Sequence, residues 1–223
     1  AVRQMRQPPT PAAGLYRTVP AALALGEKLA SMVQLNNARV AFASTGSEAN
    51  DFLIKFMRFR NAHRGEPQRV KVIARAGSYH GATVATAPLG GFPGTARAFN
   101  LPMNDVIMVS QPDYVNGALA GEDEAGFTVR MLAEIEQAIE RANPETVGAM
   151  ILDPVSYSAG CVVPPLGYLS GLRALLDRHS IQLFDDEVIT GFCRTGSMFA
   201  AETFAMRPHC MTLAKALSAD RKS

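Results

Sequence analysis

VGAMILDP (147–154), YLSGLRALLDRH (168–179) and IQLFDDEV (181–188) follow one another along the chain and decide how it folds. The first is a six-residue apolar run that ends on Asp153-Pro154, which reads as a buried strand over 147–152. The second places Leu169, Leu172, Leu175 and Leu176 at three- and four-residue intervals, which reads as an amphipathic helix over 168–179. The third is a strand over 181–184 ending at the acidic triplet Asp185-Asp186-Glu187. A strand, a crossover helix and a second strand make a parallel pair.

The same alternation extends towards the N-terminus. Strands are expected at 70–75 and 106–109, and a helix over 129–142 with Leu132, Ile135 and Ile139 on one side. A helix over 20–34 has Pro20 in its first turn. The run Arg39-Val-Ala-Phe-Ala-Ser44 is strand-like and leads through Thr45-Gly46-Ser47 into a helix over 48–63. There Ala49, Phe52, Phe56 and Phe59 recur at helical spacing. Residues 1–18 read as a proline-rich extended arm, and 19–223 as one α/β domain with a mostly parallel sheet flanked by helices.

Composition narrows the function. The chain has 223 residues, of which 48% are hydrophobic and 19% charged, and a net charge of +2 with both signs dispersed. That balance offers no footprint for nucleic acid and no basic patch for a membrane surface. Three cysteines, Cys161, Cys193 and Cys210, form no CxxC pair and no metal-ligand spacing with the four histidines. No metal is expected, and a reducing, cytoplasmic setting is.

In open parallel sheets, ligands bind beyond the carboxyl ends of the strands. The residues there are Thr45-Gly46-Ser47, Ser78-Tyr79-His80, Asp153 and Asp186. Gly46 and Ser47 open a helix whose unpaired amides suit a phosphate, although a serine there also serves as a plain cap. Asp186 can keep a ring nitrogen protonated, or be a solvated acid. Lys215, inside Met-Thr-Leu-Ala-Lys-Ala-Leu (211–217), is either a desolvated nucleophilic amine or a lysine snorkelling from an edge. Tyr79 offers an aromatic face to a ring, or fills the core.

Taken in order, STGSEAND (44–51), SYHGATVA (78–85), DDEVITGFCRTGSMFA (185–200) and MTLAKAL (211–217) resemble the successive signatures of class III pyridoxal-phosphate-dependent aminotransferases. The likeness spans roughly residues 20–218. It implies the fold type I large domain, incomplete at the C-terminus, with the smaller C-terminal domain absent, and hence low turnover alone. It also implies roles. Gly46 and Ser47 bind the phosphate of pyridoxal 5'-phosphate, Tyr79 and Val188 pack on the two ring faces, Asp186 pairs with the ring nitrogen, and Lys215 carries the cofactor. The implied reaction moves an amino group from an amino acid or amine to a keto acid, in a homodimer.

Several positions depart from the family pattern. Asp153 stands where a glutamate is usual, Tyr157 in a loop of small residues, Cys193 for a glycine and His209 for an aspartate. Other class III chemistries (aminomutase, racemase, decarboxylating transaminase) share Lys215 and Asp186 and stay open, as does an inactive fragment. A remote alternative is an α/β hydrolase using Ser158, with Asp186 and His209 following in chain order.

Overall fold

A computed structural model describes residues 19–218; the arm expected over 1–18 lies outside them. The described elements are α1 (Pro20–Met32), α2 (Gly46–His63), β1 (Lys71–Arg75), α3 (Pro93–Ala98), β2 (Val106–Val109), α4 (Tyr114–Gly117), α5 (Glu124–Arg141), β3 (Val147–Leu152), α6 (Tyr168–Arg178), β4 (Gln182–Glu187), α7 (Ala200–Thr203) and β5 (Cys210–Leu213). Three single-turn 3-10 segments, the last at Lys215–Ser218, complete the set.

The five strands form one sheet in the order β2-β1-β3-β4-β5, and every pairing is parallel. Successive side chains of a strand point to opposite faces, and here both faces are covered. On one, Ile73, Met150, Leu152 and Leu183 pack against Phe127, Met131, Ile135 and Ile139 of α5 and against Leu169, Leu172, Leu175 and Leu176 of α6. On the other, Val72, Ala74, Ala149, Ile151 and Phe184 meet Ile54 and Met57 of α2. This is why β3 reads as an unbroken apolar run instead of an alternating one. Each fully buried leucine contributes about 1.5–3 kcal/mol.

One close approach fixes α2. A Cβ on Gly148 would lie 2.5 Å from Met57 Sδ and 2.7 Å from the Arg69 carbonyl. Only glycine lets the helix rest so close to β3.

The structure differs from the sequence reading in four places. Residues 39–44 form no strand, and Val40 and Phe42 are exposed. A strand exists through its ladder, and none of the described strands pairs with this segment.

The aromatic stripe of α2 faces outward: Phe52, Phe56 and Phe59 are exposed, Phe59 by 69%. The buried stripe is Asn50, Ile54, Met57 and Asn61 instead. The two asparagines win because their amides find partners inside: Asn61 Nδ2 donates to the Arg69 carbonyl at 2.9 Å, and Asn50 reaches the site described below. Burying an amide is favourable only when it is paired.

Strand β4 does not end at Phe184 but runs through the acidic triplet, with all three side chains buried. Glu187 is tolerated there because its carboxylate accepts from the amides of Ala200 and Ala201, both at 2.8 Å, and from Thr190. Finally, the segment carrying Lys215 begins as a strand, β5, pairing Asp186 with Thr212 and Glu187 with Leu213.

Candidate functional site

At the carboxyl ends of β1, β3, β4 and β5 the chain gathers its polar side chains. The N-terminus of α2 stands beside them. Thr45 caps this helix, its hydroxyl accepting from the Glu48 amide at 3.1 Å, while the Glu48 carboxylate reaches back to the Ser44 amide at 2.8 Å. Ser47 is therefore not the cap. Its Oγ turns away from the helix and accepts from the Ala82 amide. The amides of Gly46 and Ser47 enter no hydrogen bond among the described residues. First-turn amides of this kind form an anion-binding end.

Gly46 also has a steric reason to be glycine. A Cβ there would sit 2.9 Å from Val188 Cγ2, so the residues expected at the phosphate and at one ring face are direct neighbours. Gly81, with φ +138°, lies where a Cβ would meet Thr86 Oγ1 at 2.4 Å and Ser47 Cα at 2.8 Å. This brings the 78–81 loop, and with it Tyr79, onto the start of α2. Tyr79 itself is 55% exposed.

Asp186 is buried at the end of β4, and three N–H groups converge on it. Oδ2 accepts from Asn50 Nδ2 at 2.8 Å and lies 2.9 Å from His80 Nδ1; Oδ1 accepts from the Val188 amide at 3.1 Å. An ionised carboxylate only accepts, so the His80 proton belongs on Nδ1. The sequence reading assigned no role to Asn50 or to His80, although both lie inside its motifs and His80 was placed at the strand ends. The available signal was Asn50 sharing a helical face with Ile54, Met57 and Asn61.

Lys215 follows β5 by two residues, in the closing 3-10 turn, with φ +40°. Thr212, three residues earlier, is the register partner of Asp186 on the neighbouring strand. The amine and the acid thus arise at the same end of adjacent strands. Lys215 is exposed, so of the two sequence alternatives the flanking leucines and alanines do not desolvate it.

Asp153, at the end of β3, ties a second group together. Its Oδ1 accepts from Arg75 at 2.9 Å and from Ser78 Oγ at 2.9 Å, and its carbonyl also accepts from Arg75. Gln111 bridges Ser78 and Ser156. The buried Arg75–Asp153 pair anchors the residue immediately before Tyr79. Tyr157, on the neighbouring loop, is 61% exposed.

The hydrolase alternative does not assemble. Ser158 Oγ donates to the Gly77 carbonyl at the carboxyl end of the sheet. His209 precedes β5 at the opposite end, its Nδ1 accepting from the Leu183 amide at 2.9 Å. Burial, chiefly, holds the His209 ring below its usual pKa.

The residues present fit a phosphorylated aromatic cofactor. Free helix amides lie next to a glycine that no side chain could replace without moving Val188, and a buried acid held by nitrogen donors stands one strand from a lysine. Among the described residues no group of three His, Cys, Asp or Glu could hold a metal ion, and no helix is long and apolar enough to cross a membrane.

Comparison with known proteins gives a consistent picture. The family described as aminotransferase class-III matches residues 14–220. The chain is 39% identical over 203 residues to a vanillin aminotransferase of Capsicum frutescens, covering 91% of this chain and 44% of that protein. It is 38% identical over 203 residues to gamma aminobutyrate transaminase 2 of Solanum lycopersicum, again covering 91% and 44%. In three dimensions it superposes on the omega transaminase of Pseudomonas jessenii, solved in complex with PMP. The TM-score is 0.94 at 38% identity, covering 98% of this chain and 48% of that one. The chain spans about half the length of the relatives it matches.

Proposed function

Because the chain belongs to the class-III aminotransferase family, with the fold type I sheet of its solved relatives, we propose that it serves a pyridoxal-phosphate-dependent aminotransferase. The observation that carries the proposal is the buried Asp186, held by Asn50, His80 and the Val188 amide, one strand away from the turn bearing Lys215 and beside the open start of α2.

In this reading the amides of Gly46 and Ser47 hold the cofactor's phosphate, helped by the positive end of the helix. Tyr79 and Val188 flank the ring, and Asp186 keeps the ring nitrogen protonated, since a neighbouring negative charge favours the cation. Lys215 carries the cofactor through Nζ. Once bound, pyridoxal phosphate supplies an electron sink for charge developing at the substrate carbon. Lys215 Nζ would take the proton from the substrate carbon and hand it on, as general base and then acid. The Arg75–Asp153–Ser78 anchor keeps the Tyr79 loop in place against this traffic.

The donor is an amino acid or amine and the acceptor a keto acid. The names of the relatives, which span vanillin and gamma-aminobutyrate, support an amine-transfer class and no narrower choice. A homodimer fits the outward Phe52, Phe56 and Phe59 of α2, apolar surface that a second copy would cover. A cytoplasmic setting fits cysteines that form no disulfide among the described residues.

The half-reaction tests the proposal. The purified chain, loaded with pyridoxal phosphate and given a panel of ω-amino acids and amines, should convert bound cofactor to its aminated form and release a carbonyl product. Cofactor that binds but is never aminated by any donor speaks against it.

A further inference from the structure

Asn50 engages both of its side-chain N–H groups and its amide oxygen in hydrogen bonds to protein. Its two N–H groups go to the His80 carbonyl at 2.8 Å and to Asp186 Oδ2 at 2.8 Å, and its Oδ1 accepts from Thr212 Oγ1 at 2.7 Å. The residue is 1% exposed. Four separate segments meet on it: α2, the 78–81 loop, β4 and β5. From these contacts we infer that Asn50 is the positioning residue of the site, setting the orientation of the Asp186 carboxylate and tying it to the strand that delivers Lys215.

The chemistry of the amide makes the assignment specific. Asp186 Oδ2 is occupied by Asn50 and by His80, and Oδ1 by one amide N–H, from Val188. A carboxylate oxygen has two acceptor positions, so Oδ1 keeps one for a ring N–H while Oδ2 is fully engaged. Asn50 thereby decides which oxygen is available. Aspartate at position 50 would have the same shape but present an acceptor to an acceptor. Alanine would leave the His80 carbonyl, Asp186 Oδ2 and the Thr212 hydroxyl each one partner short. The carboxylate would then be free to rotate about its own Cβ–Cγ bond.

The side chain of His80 is fully buried, and Nε2 has no partner among the described residues. It has little freedom to compensate for a lost Asn50. Thr212 adds the link to catalysis: it lies on β5 opposite Asp186 and three residues before Lys215. The amide of Asn50 therefore holds the acid of one strand and the lysine-bearing strand in a common frame.

This role rests on the aminotransferase reading for its purpose, but its geometry requires no cofactor, and two readouts keep the claims apart. The first uses the cofactor-free chain. With histidine ring nitrogens labelled by 15N, the His80 Nδ1 resonance of wild type should carry the signature of an N–H bonded to a carboxylate, and Asn50→Asp should move it. The second is pyridoxal phosphate binding, followed by absorbance across pH. Asn50→Asp should bind about ten- to a hundredfold more weakly than wild type near pH 8, the range expected for losing a hydrogen bond to a charged group. The deficit should shrink on acidification, because a protonated carboxyl at position 50 regains a donor. Asn50→Ala should be weak at every pH. Thr212→Val keeps the donors but unpins the amide, and should cost a few-fold, providing the milder variant if the others fold poorly.

An unchanged His80 resonance together with unchanged binding in Asn50→Asp overturns the positioning role. So does a binding deficit that is the same at every pH, which marks a merely structural residue. A moved His80 resonance in a chain that does not take up pyridoxal phosphate upholds the positioning of Asp186 and brings down the cofactor reading instead.

Discussion

In β4, Asp185 is wholly buried, and neither carboxyl oxygen has a hydrogen-bond partner among the described residues. Burial raises its pKa well above the usual carboxylate range, and the negative charges of Glu187, Asp186 and Asp153 push the same way. The native state therefore holds this proton to higher pH than the unfolded chain, which gives it up once the pH passes about 4. Where the native state binds more protons, stability falls as pH rises. The contribution of this proton is fully present below the unfolded value and is lost as the pH climbs through the folded one. Within that window the loss is about 1.4 kcal/mol for each pH unit.

Asparagine at this position has nearly the same shape and no proton to lose. Asp185→Asn should differ from wild type by a constant offset plus this slope, gaining relative to wild type as the pH rises. For a domain of this size about 1 kcal/mol corresponds to 2–4 °C, so the gap in Tm should open by about 3–6 °C per pH unit. Thermal melts of both proteins at half-unit steps from pH 5 to 8 read it directly. Parallel curves would show that Asp185 is not the proton holder and would refute the reasoning.

Two further changes test the packing that supports the site. Gly148→Ala drives a methyl into Met57 and the Arg69 carbonyl; overpacking of this kind costs about 1–3 kcal/mol, and because α2 must lift from the sheet, pyridoxal phosphate affinity should drop with Tm. An unaltered melt would mean that the close approach is not what seats the helix. Cys193→Gly relieves a left-handed residue, φ +67°, that follows another at Phe192, φ +61°. The conformation costs a non-glycine residue about 1–2 kcal/mol, partly offset by the entropy of glycine in the unfolded chain. A gain of about 1 kcal/mol in urea denaturation is expected, and a loss would contradict the strain.

The layout of the fold was legible because strands β1 to β4 and helices α5 and α6 carry their periodicity in the chain itself. What was not legible depends on contacts between distant residues. The burial stripe of α2 is chosen by where Asn50 and Asn61 find partners, 136 and 8 residues away along the chain. Local spacing favours the phenylalanines instead. Residues 39–44 have strand composition, but a ladder needs a neighbour. The acidic triplet reads as a strand end because the groups that make Asp186 and Glu187 tolerable, Asn50, His80 and the amides of Ala200 and Ala201, lie outside the segment.

For the site, motif order pointed to Gly46, Ser47, Tyr79, Asp186, Val188 and Lys215. The structure puts the first five in one neighbourhood and Lys215 on the adjoining strand's exit. The Arg75–Asp153 anchor could not be read, since nothing in the sequence pairs residues 78 positions apart.

Lys215 is the residue proposed to take pyridoxal phosphate through its amine. Borohydride reduction of the cofactor-loaded chain, followed by proteolysis and mass spectrometry, locates the attachment. A near-stoichiometric phosphopyridoxyl group is expected on Lys215 and should disappear in Lys215→Ala. Label scattered over Lys28, Lys55 and Lys71 with Lys215 unmodified would contradict it.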